Sequence, residues 1–221
     1  RTQSYFQGTE LASRGLPEGK ELEILNTVKD QVPPEVFTKE FTLPVYDTPQ
    51  AERTNLRAAF DLLKQAGWQQ KGRALVNAKG ERFTIVFLGN DPSDERVAGP
   101  FINNLRKLGI DASLRIVDTS QYVNRLRRFD FDMVMTSLRQ SESPGNEQRD
   151  FWSTAAADSP GSRNLMGIKN PAIDKLVDRV IFTKDRDDLV AATHALDRVL
   201  LWNYYVVPQW YSPRSEERRV G

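Results

Sequence analysis

Few side chains in this sequence have the type and spacing that covalent chemistry requires. There is no cysteine, there is one histidine (His194), and no serine lies in a G-x-S-x-G pattern. Thiol nucleophiles, thiolate metal sites and histidine-based zinc sites are therefore excluded. His194 falls on the polar face of its predicted helix, so we expect it to be solvated rather than catalytic. The sequence predicts a protein that is not an enzyme and that uses no cofactor.

Two other patterns approach known motifs without completing them. Asp130 and Asp132 share one face of a predicted strand, as a paired acid and base would, but a solvated sheet edge is the reading we favour. In residues 15–21, GLPEGKE, the glycines are one residue too close together for a phosphate loop and a Glu replaces the Ser or Thr. We interpret this second stretch as a turn.

The residues best suited to binding a ligand surround a polar, turn-forming segment at residues 141–152, SESPGNEQRDFW. Long connections of this kind, without an apolar period of their own, are often functional. Ligand sites combine a few polar anchors with apolar walls. The predicted anchors are Arg139, Gln140, Ser141, Asn146, Glu147, Gln148 and Arg149, and the predicted walls are Trp152 and Trp210. A loop that is simply solvated is the alternative.

Amphipathic helices alternate with short strands in the middle of the chain. The predicted order is a helix between Thr54 and Gly67, a strand at 82–88, a helix through 97–108 that kinks or restarts at Pro100, a strand at 111–118, a helix capped near 118–120, and a strand at 129–137. This order predicts an α/β fold, a mixed sheet with flanking helices. Because ligand crevices lie beyond the carboxyl ends of such strands, the polar segment begins where a crevice is expected.

The two ends of the chain differ from the middle. Prolines are dense in residues 1–50, which are predicted to be irregular or extended apart from a short helix within 20–32. After the polar segment, one helix is predicted to be capped by Asn170 and another to begin near Asp185. Residues 204–211, YYVVPQWY, resemble an apolar strand that Pro208 confines to an edge, an end or a crossing between domains.

Composition limits the classes of function. The chain has 221 residues, of which 39% are hydrophobic, and its formal net charge is +1. Such a chain can bury a core, but it has no run of five or six like charges with which to follow a phosphate backbone, so nucleic acid is not an expected partner. The apolar runs fall far short of the ~20 residues that span a bilayer. Because the chain lacks an initiator Met and a leader, we expect a fragment with a signal peptide upstream.

Several stretches of the chain resemble a known family. They are NNLRKLGIDASLRIVDTSQYVNRLRRFDFDMVMTS at 103–137, SPGNEQRDFW at 143–152, GSRNLMGIKNP at 161–171 and LVAATHALDRVLLWNYYVVPQWY at 189–211. Together they resemble the extracytoplasmic solute-binding proteins of peptide ABC importers, family 5. The second and third stretches are similar to a YejA-like branch of that family. The likeness covers most of the chain, from its first residue to about Tyr211.

The resemblance implies a fold and a function. The fold would be a two-lobed periplasmic-binding-protein clamp (type II, cluster C), with this chain as a C-terminal fragment that supplies the second lobe. Implied ranges are 1–50 as a lead-in, 51–205 as the α/β lobe, 206–214 as a crossing strand or hinge, and 215–221 as a non-native tail. The function would be capture of a peptide or peptide-like ligand in an interlobe cleft and delivery to ABC permease subunits.

The resemblance also implies a setting. The protein would be periplasmic and monomeric, and it would meet the membrane only through the permease. Two alternatives remain. One is an α/β enzyme domain, and the other is a sensory or chaperone-like binding protein that is not coupled to transport.

Overall fold

The computed structural model describes residues 1–211 and divides the chain into two compact units. Unit 1 combines Arg1–Leu43 with the chain from Leu138 onward, and unit 2 is Pro44–Ser137. Unit 2 is therefore inserted into the chain of unit 1. This division differs from the predicted ranges, because a lobe at 51–205 would include all of unit 2 and much of unit 1. The helices after Leu138 pack with the N-terminal residues, and a linear pattern of helices and strands does not show that pairing.

Helices predominate in the described chain. They are α1 (Gly19–Asn26), α2 (Glu35–Thr38), α3 (Pro49–Gln65), α4 (Asp94–Lys107), α5 (Thr119–Arg127), α6 (Glu147–Trp152), α7 (Thr154–Ala157), α8 (Pro171–Ile181) and α9 (Arg186–Trp202), with a 3-10 turn at Lys29–Gln31. The strands are β1 (Gln69–Lys71), β2 (Ala74–Val76), β3 (Thr84–Gly89), β4 (Asp111–Ile116) and β5 (Met133–Val134). Within residues 1–211, no helix is both long enough and apolar enough to cross a bilayer.

Unit 2 contains the parallel sheet. Its strand order is β4-β3-β5, with β3 parallel to both neighbours, and β1 and β2 form a separate antiparallel pair. The helices α4 and α5 connect the parallel strands, as a parallel crossover requires. The predicted alternation of helices and strands is thus confirmed as an α/β arrangement with small parallel and antiparallel sheets.

The last strand of this sheet is much shorter than predicted. Residues 129–137 show a strand's alternation, but only β5 pairs with β3. Phe129 adopts a left-handed φ of 55° just after α5, which interrupts the extended chain. Asp130 pairs with Arg125 at 2.6 Å, and an oxygen of Asp132 accepts a hydrogen bond from the backbone N–H of Val86 at 2.9 Å. The two carboxylates therefore have structural partners, and the paired acid and base reading has no support.

Two helices of unit 2 differ in detail from their predictions. The cap of α3 is Thr48 and not the predicted Thr54, because Thr48 accepts a hydrogen bond from the N–H of Ala51 and Pro49 occupies the first turn. The helix α4 runs through Pro100. Proline removes one backbone donor inside a helix, so the amphipathic packing of α4 on the sheet outweighs that loss.

Unit 1 is a helical body whose core includes the N-terminal residues. Residues 1–50 were predicted to be a mainly irregular lead-in, yet α1 and α2 pack against α9 and contribute buried side chains. The predicted starts of the two later helices are confirmed. Asn170 caps α8, as predicted, and the helix expected to begin near Asp185 is α9, which Asp185 caps; both caps act through a side-chain oxygen. Both apolar stripes are buried in the same core.

The C-terminal residues 204–211 form no strand in the described chain, contrary to the prediction. Tyr204 takes a left-handed φ of 54° just after α9, and Pro208 removes a backbone donor directly after Val206 and Val207. One backbone bond ties this segment to the start of the chain, from the N–H of Thr2 to the carbonyl oxygen of Gln209 at 3.1 Å. The predicted tail, 215–221, and the last residues of the predicted crossing, 212–214, lie outside the described residues.

Candidate ligand-binding site

The polar segment belongs to the helical unit. Past β5, Leu138 packs against the core of unit 1, and Pro144 is buried. The segment was predicted to be a loop, but its second half is the helix α6. At the start of α6, the carbonyl oxygen of Gly145 accepts a hydrogen bond from the N–H of Gln148 at 3.0 Å. Its two aromatic residues, Phe151 and Trp152, face the core. Buried helices, and not a sheet edge, therefore hold the polar groups of residues 139–149 in place.

The exposed part of the segment presents mixed polar groups. Arg139, Ser141, Asn146 and Arg149 are exposed, and Gln140 is half-buried. A hydrogen bond of 3.0 Å from the N–H of Ser143 to the hydroxyl oxygen of Ser141 closes the turn between them. The surface from Arg139 to Asn146, which we call the polar turn, offers donors, acceptors and positive charge of the kind that amide-rich ligands need.

Glu147 supplies a negative charge beside the polar turn. Burial acts to raise the pKa of its carboxyl group, but hydrogen bonds from the backbone N–H groups of Gly145 and Glu147, from the side chain of Gln148 and the charge of Arg163 together hold the pKa below its ordinary value. The bond from Gly145 is 2.9 Å long. Glu147 is therefore an anion at neutral pH and can accept hydrogen bonds from an amide or an ammonium group.

The structure gives two predicted site residues a different role. Gln148 and Trp152 are both 0% exposed, so neither side chain reaches the surface as an anchor or as a cleft wall. The indole N–H of Trp152 donates to the side-chain oxygen of Gln148 at 2.8 Å. The ring also packs edge to face against Tyr5, with 5.1 Å between centroids. The large ring of Trp152 is buried in the core and is therefore not accessible to a ligand.

Arg149 is exposed but engaged. Its guanidinium donates to Asp178 at 2.8 Å and to the side-chain oxygen of Asn146 at 3.2 Å, and it lies 5.6 Å from the ring centroid of Phe182. These contacts fix the start of α6 to α8. A ligand that binds Arg149 must therefore compete with Asp178 for the same donors.

Trp210 lies apart from α6 in the sequence and is 69% exposed, in the irregular segment that follows α9. Its neighbour Tyr211 is also exposed. Of the two predicted aromatic walls, Trp210 is thus the one whose ring is accessible.

Sequence reasoning did not identify a buried polar cluster on α9. The carboxylate of Asp197 is 0% exposed and accepts four hydrogen bonds, from the hydroxyl and backbone groups of Ser4, Tyr5 and Ser13 at 2.7–3.0 Å. Burial raises its pKa, and these donors oppose the rise. The sequence did contain a sign of this cluster. The run from Ala195 to Leu201 is apolar on both sides of Asp197 and Arg198, which is typical of a helix that is buried on all its faces.

The adjacent Arg198 is the second member of this cluster. It is 1% exposed and donates to Glu21 at 2.7 Å and to the carbonyl oxygens of Gly15 and Arg14 at 2.7 and 3.0 Å. The stretch GLPEGKE is only partly the turn that was predicted: residues 15–18 are non-helical, and the α-helix α1 begins at Gly19. His194, expected to be solvated, is half-buried, with its Nε2 2.7 Å from the carbonyl oxygen of Glu10. All three side chains bind the N-terminal residues to α9.

The structure thus consists of an α/β unit inserted in the chain of a helical unit, which carries the exposed polar turn. The chain belongs to the bacterial extracellular solute-binding proteins, family 5, whose middle region matches residues 23–160. The resemblance found in the sequence is confirmed, and the class is not enzymatic.

Two relatives and one solved structure show how far the similarity extends. A protein of Agrobacterium fabrum named "Probable peptide-binding protein YejA" is 55% identical over 212 residues, which are 96% of this chain and 34% of the relative. The YejA protein of Escherichia coli K12 is 38% identical over 213 residues, 96% of this chain and 35% of the relative. The oligopeptide-binding protein AppA of Bacillus subtilis, solved with a nonapeptide, shares the fold at 20% identity with a TM-score of 0.62, covering 85% of this chain and 38% of AppA. The chain thus spans about a third of the length of these relatives.

Proposed function

We propose that this chain is part of the substrate-binding component of a peptide ABC importer. The polar turn contacts a peptide or peptide-like ligand, and the ligand is held in a cleft between this part of the protein and a second lobe. The protein is periplasmic and monomeric, and it delivers the ligand to permease subunits. Support comes from the family and from the names of two proteins that this chain resembles, a peptide-binding YejA and an oligopeptide-binding AppA.

One observation carries the proposal: the polar turn presents a positive charge next to the negative charge of Glu147, and buried side chains hold both in place. Arg139 is exposed, and Glu147 is a half-buried anion 2.9 Å from the backbone N–H of Gly145. Peptides differ in their side chains but share amides and charged ends, so a broadly selective site needs fixed groups of this kind. A rigid polar turn lowers the entropy that binding would otherwise cost.

The mechanism we propose is closure driven by differential affinity. A ligand that touches two lobes at once binds the closed state more tightly and shifts the population toward it. The closed shape is what a permease would recognise. In this scheme residues 206–214 are a crossing between lobes, as the family resemblance implies.

Peptide retention tests the proposal against the enzymatic alternative. The protein expressed from its complete gene would be mixed with a pool of synthetic tri- to nonapeptides, passed through a desalting column, denatured and analysed by mass spectrometry. We expect intact peptides to elute with the protein. Cleaved or modified products would favour an enzyme, and an empty protein that also shows no thermal shift with any peptide would overturn the proposal.

Two alanine variants test the proposed ligand contacts, one in the polar turn and one at Arg149 in α6. N146A and R149A, made in the same full-length protein, should each weaken the affinity for a retained peptide about tenfold, as the loss of one polar or charged contact predicts. Asp178→Ala is the matched control, because it removes the same ion pair while leaving the Arg149 guanidinium in place. Affinity that falls equally in R149A and D178A, by isothermal titration, would show that Arg149 supports α6 and does not bind the ligand.

Coupling to transport separates the importer from a sensory or chaperone-like binding protein. A strain that lacks the gene should lose uptake of the retained peptide and regain it when the gene is restored. Uptake that does not depend on the gene, in a strain whose protein retains peptides, would favour the sensory or chaperone-like role.

A further inference from the structure

We propose that Gln148 is a positioning residue that sets the direction of two groups in the ligand site, the amide of Gln140 and the carboxylate of Glu147. The inference rests on the proposed function, because it assigns these two groups to the ligand. Gln148 itself is fully buried and touches no solvent. It acts through its side-chain amide, which joins the buried indole of Trp152 to the polar turn.

The indole of Trp152 fixes which groups donate and which accept in this series of hydrogen bonds. An indole N–H can only donate, so Gln148 must turn its oxygen toward Trp152, and the bond is 2.8 Å long. The amide NH2 of Gln148 must then face the other way, where it donates to the side-chain oxygen of Gln140 at 2.8 Å. Gln140 in turn must present its oxygen to Gln148. A buried donor that cannot reverse therefore dictates the orientation of the half-buried Gln140 amide, whose Nε2 is also shielded from solvent.

The same NH2 group reaches a second predicted ligand contact. It lies 3.3 Å from the carboxylate oxygen of Glu147 that also accepts the N–H of Gly145. That oxygen is held from two sides, so the carboxylate has one preferred rotamer and directs its other oxygen consistently. One buried amide thus orients the side-chain amide of Gln140 and the negative charge of Glu147.

The indole that begins this chain is itself immobile. Trp152 is 0% exposed, packs edge to face with Tyr5 at 5.1 Å and lies 5.5 Å from the ring of Phe151. The N–H of Tyr5 is bound by the buried carboxylate of Asp197 at 2.9 Å. Support for the polar turn therefore extends through the core to α9, which is the arrangement that a precise site requires.

The test replaces Gln148 by methionine, which has a similar volume and no amide. In the protein expressed from its complete gene, Q148M should bind a retained synthetic peptide about tenfold more weakly, because Gln140 and Glu147 lose the bonds that orient them. Amide hydrogen exchange at residues 138–146 should be faster in the variant without ligand. W152F, which keeps one aromatic ring but removes the five-membered ring with its N–H donor, should also weaken binding, because Gln148 loses the group that orients it.

A matched control separates positioning from general loss of stability. Asn164 is also 0% exposed and makes three side-chain hydrogen bonds, to Ser153 and Ile168, away from the polar turn. We expect N164D to lower the melting temperature as much as Q148M does, with little change in affinity. In the double variant Q140A/E147A, adding Q148M should lower the melting temperature further but leave affinity unchanged.

The possible results are distinct. Equal losses of affinity in Q148M and N164D, or a full further loss when Q148M is added to Q140A/E147A, would overturn the positioning role and leave the proposed function intact. If the wild-type protein retains no peptide, the proposed function and this inference are both wrong. Weaker binding confined to Q148M and W152F, with faster exchange at 138–146, supports the inference.

Discussion

At the scale of single residues, buried charges bind the start of the chain to the helices of unit 1. Asp197 and Arg198 bind residues 4–21, and Asp188 in the first turn of α9 joins Arg179 of α8 to Lys20. Each charge is matched by several donors or acceptors, which is the condition under which a buried ion is tolerated. These residues explain why a sequence dense in prolines is nevertheless part of a folded core.

The carboxylate of Asp188 should make stability depend on pH. Hydrogen bonding by Arg179, with smaller contributions from Lys20 and the N–H of Lys184, lowers its pKa well below the ordinary value of about 4. A lowered pKa contributes stability that is full above the unfolded-state pKa and is lost as the pH falls below it. D188N should therefore melt roughly 5 °C lower than wild type at pH 7, with a difference that shrinks below about pH 4.

The exposed neighbour Asp187 provides the control for this prediction. It lies in the same helical turn, so D187N changes the charge near the α9 N-terminus without removing a buried partner. Melting curves from pH 2 to 7 by circular dichroism would decide the matter. If D187N and D188N melt together at pH 7, the contacts with Arg179 and Lys20 contribute little.

At the scale of elements, the close approach of the β1–β2 pair to the α4–β4 connection determines how unit 2 packs. Gly109 ends α4 with a φ of 86° and its carbonyl oxygen accepts the N–H of Leu75 at 2.8 Å. A Cβ at this position would lie 3.1 Å from the nitrogen of Leu75 and 3.2 Å from the carbonyl oxygen of Arg73. Backbone atoms of β2 and the residue before it occupy the space that any side chain would need.

Alanine substitution distinguishes this crowding from backbone strain alone. G109A should lower the free energy of unfolding by about 2–4 kcal/mol, since it combines a left-handed φ with a clash against backbone. Gly80 is the matched control, with a φ of 82° and nothing within 4 Å of its would-be Cβ, so G80A should lower it by about 1 kcal/mol. Urea unfolding followed by fluorescence measures both, and equal effects would contradict the packing argument.

At the scale of the whole molecule, the two units differ in how much they bury. The core of unit 1 draws on α1, α6, α8 and α9, with Trp152 and Leu196 among its 0% exposed residues. The fully buried apolar set of unit 2 is small and centres on Leu75, Phe87 and Ala112. Apolar burial is the main favourable term in folding, so unit 1 should be the more stable of the two.

Hydrogen exchange tests that difference. In the protein expressed from its complete gene, amides of α8 and α9 should exchange more slowly than amides of β3 and β4, because opening unit 1 exposes more apolar surface. Mass spectrometry of peptic fragments at one pH and temperature would provide the comparison, with the C-terminal residues 204–211 as a fast-exchanging reference. Slower exchange in the strands of unit 2 than in α9 would contradict the ranking.

The sequence by itself determined the local elements and the family. Periodicity located β3, β4 and the helices α4, α5, α8 and α9, because periodicity depends on residues that are neighbours along the chain. The polar segment was identified from its own contiguous residues, which lack an apolar period. The cap Asn170 and a helix start near Asp185 were predicted because a cap bonds within two or three residues of itself. The family resemblance depended on stretches that are contiguous in the chain.

Only the tertiary structure decided which residues share a core. Trp152 and Gln148 look like surface residues of a polar loop, yet partners that are remote in the sequence, such as Tyr5, enclose them. Residues 1–43 join the helices that follow Leu138 because Asp197 and Arg198 bind them across more than 170 residues. Burial depends on contacts between distant parts of the chain, which no local pattern records, so the support beneath the polar turn became visible only in the folded protein.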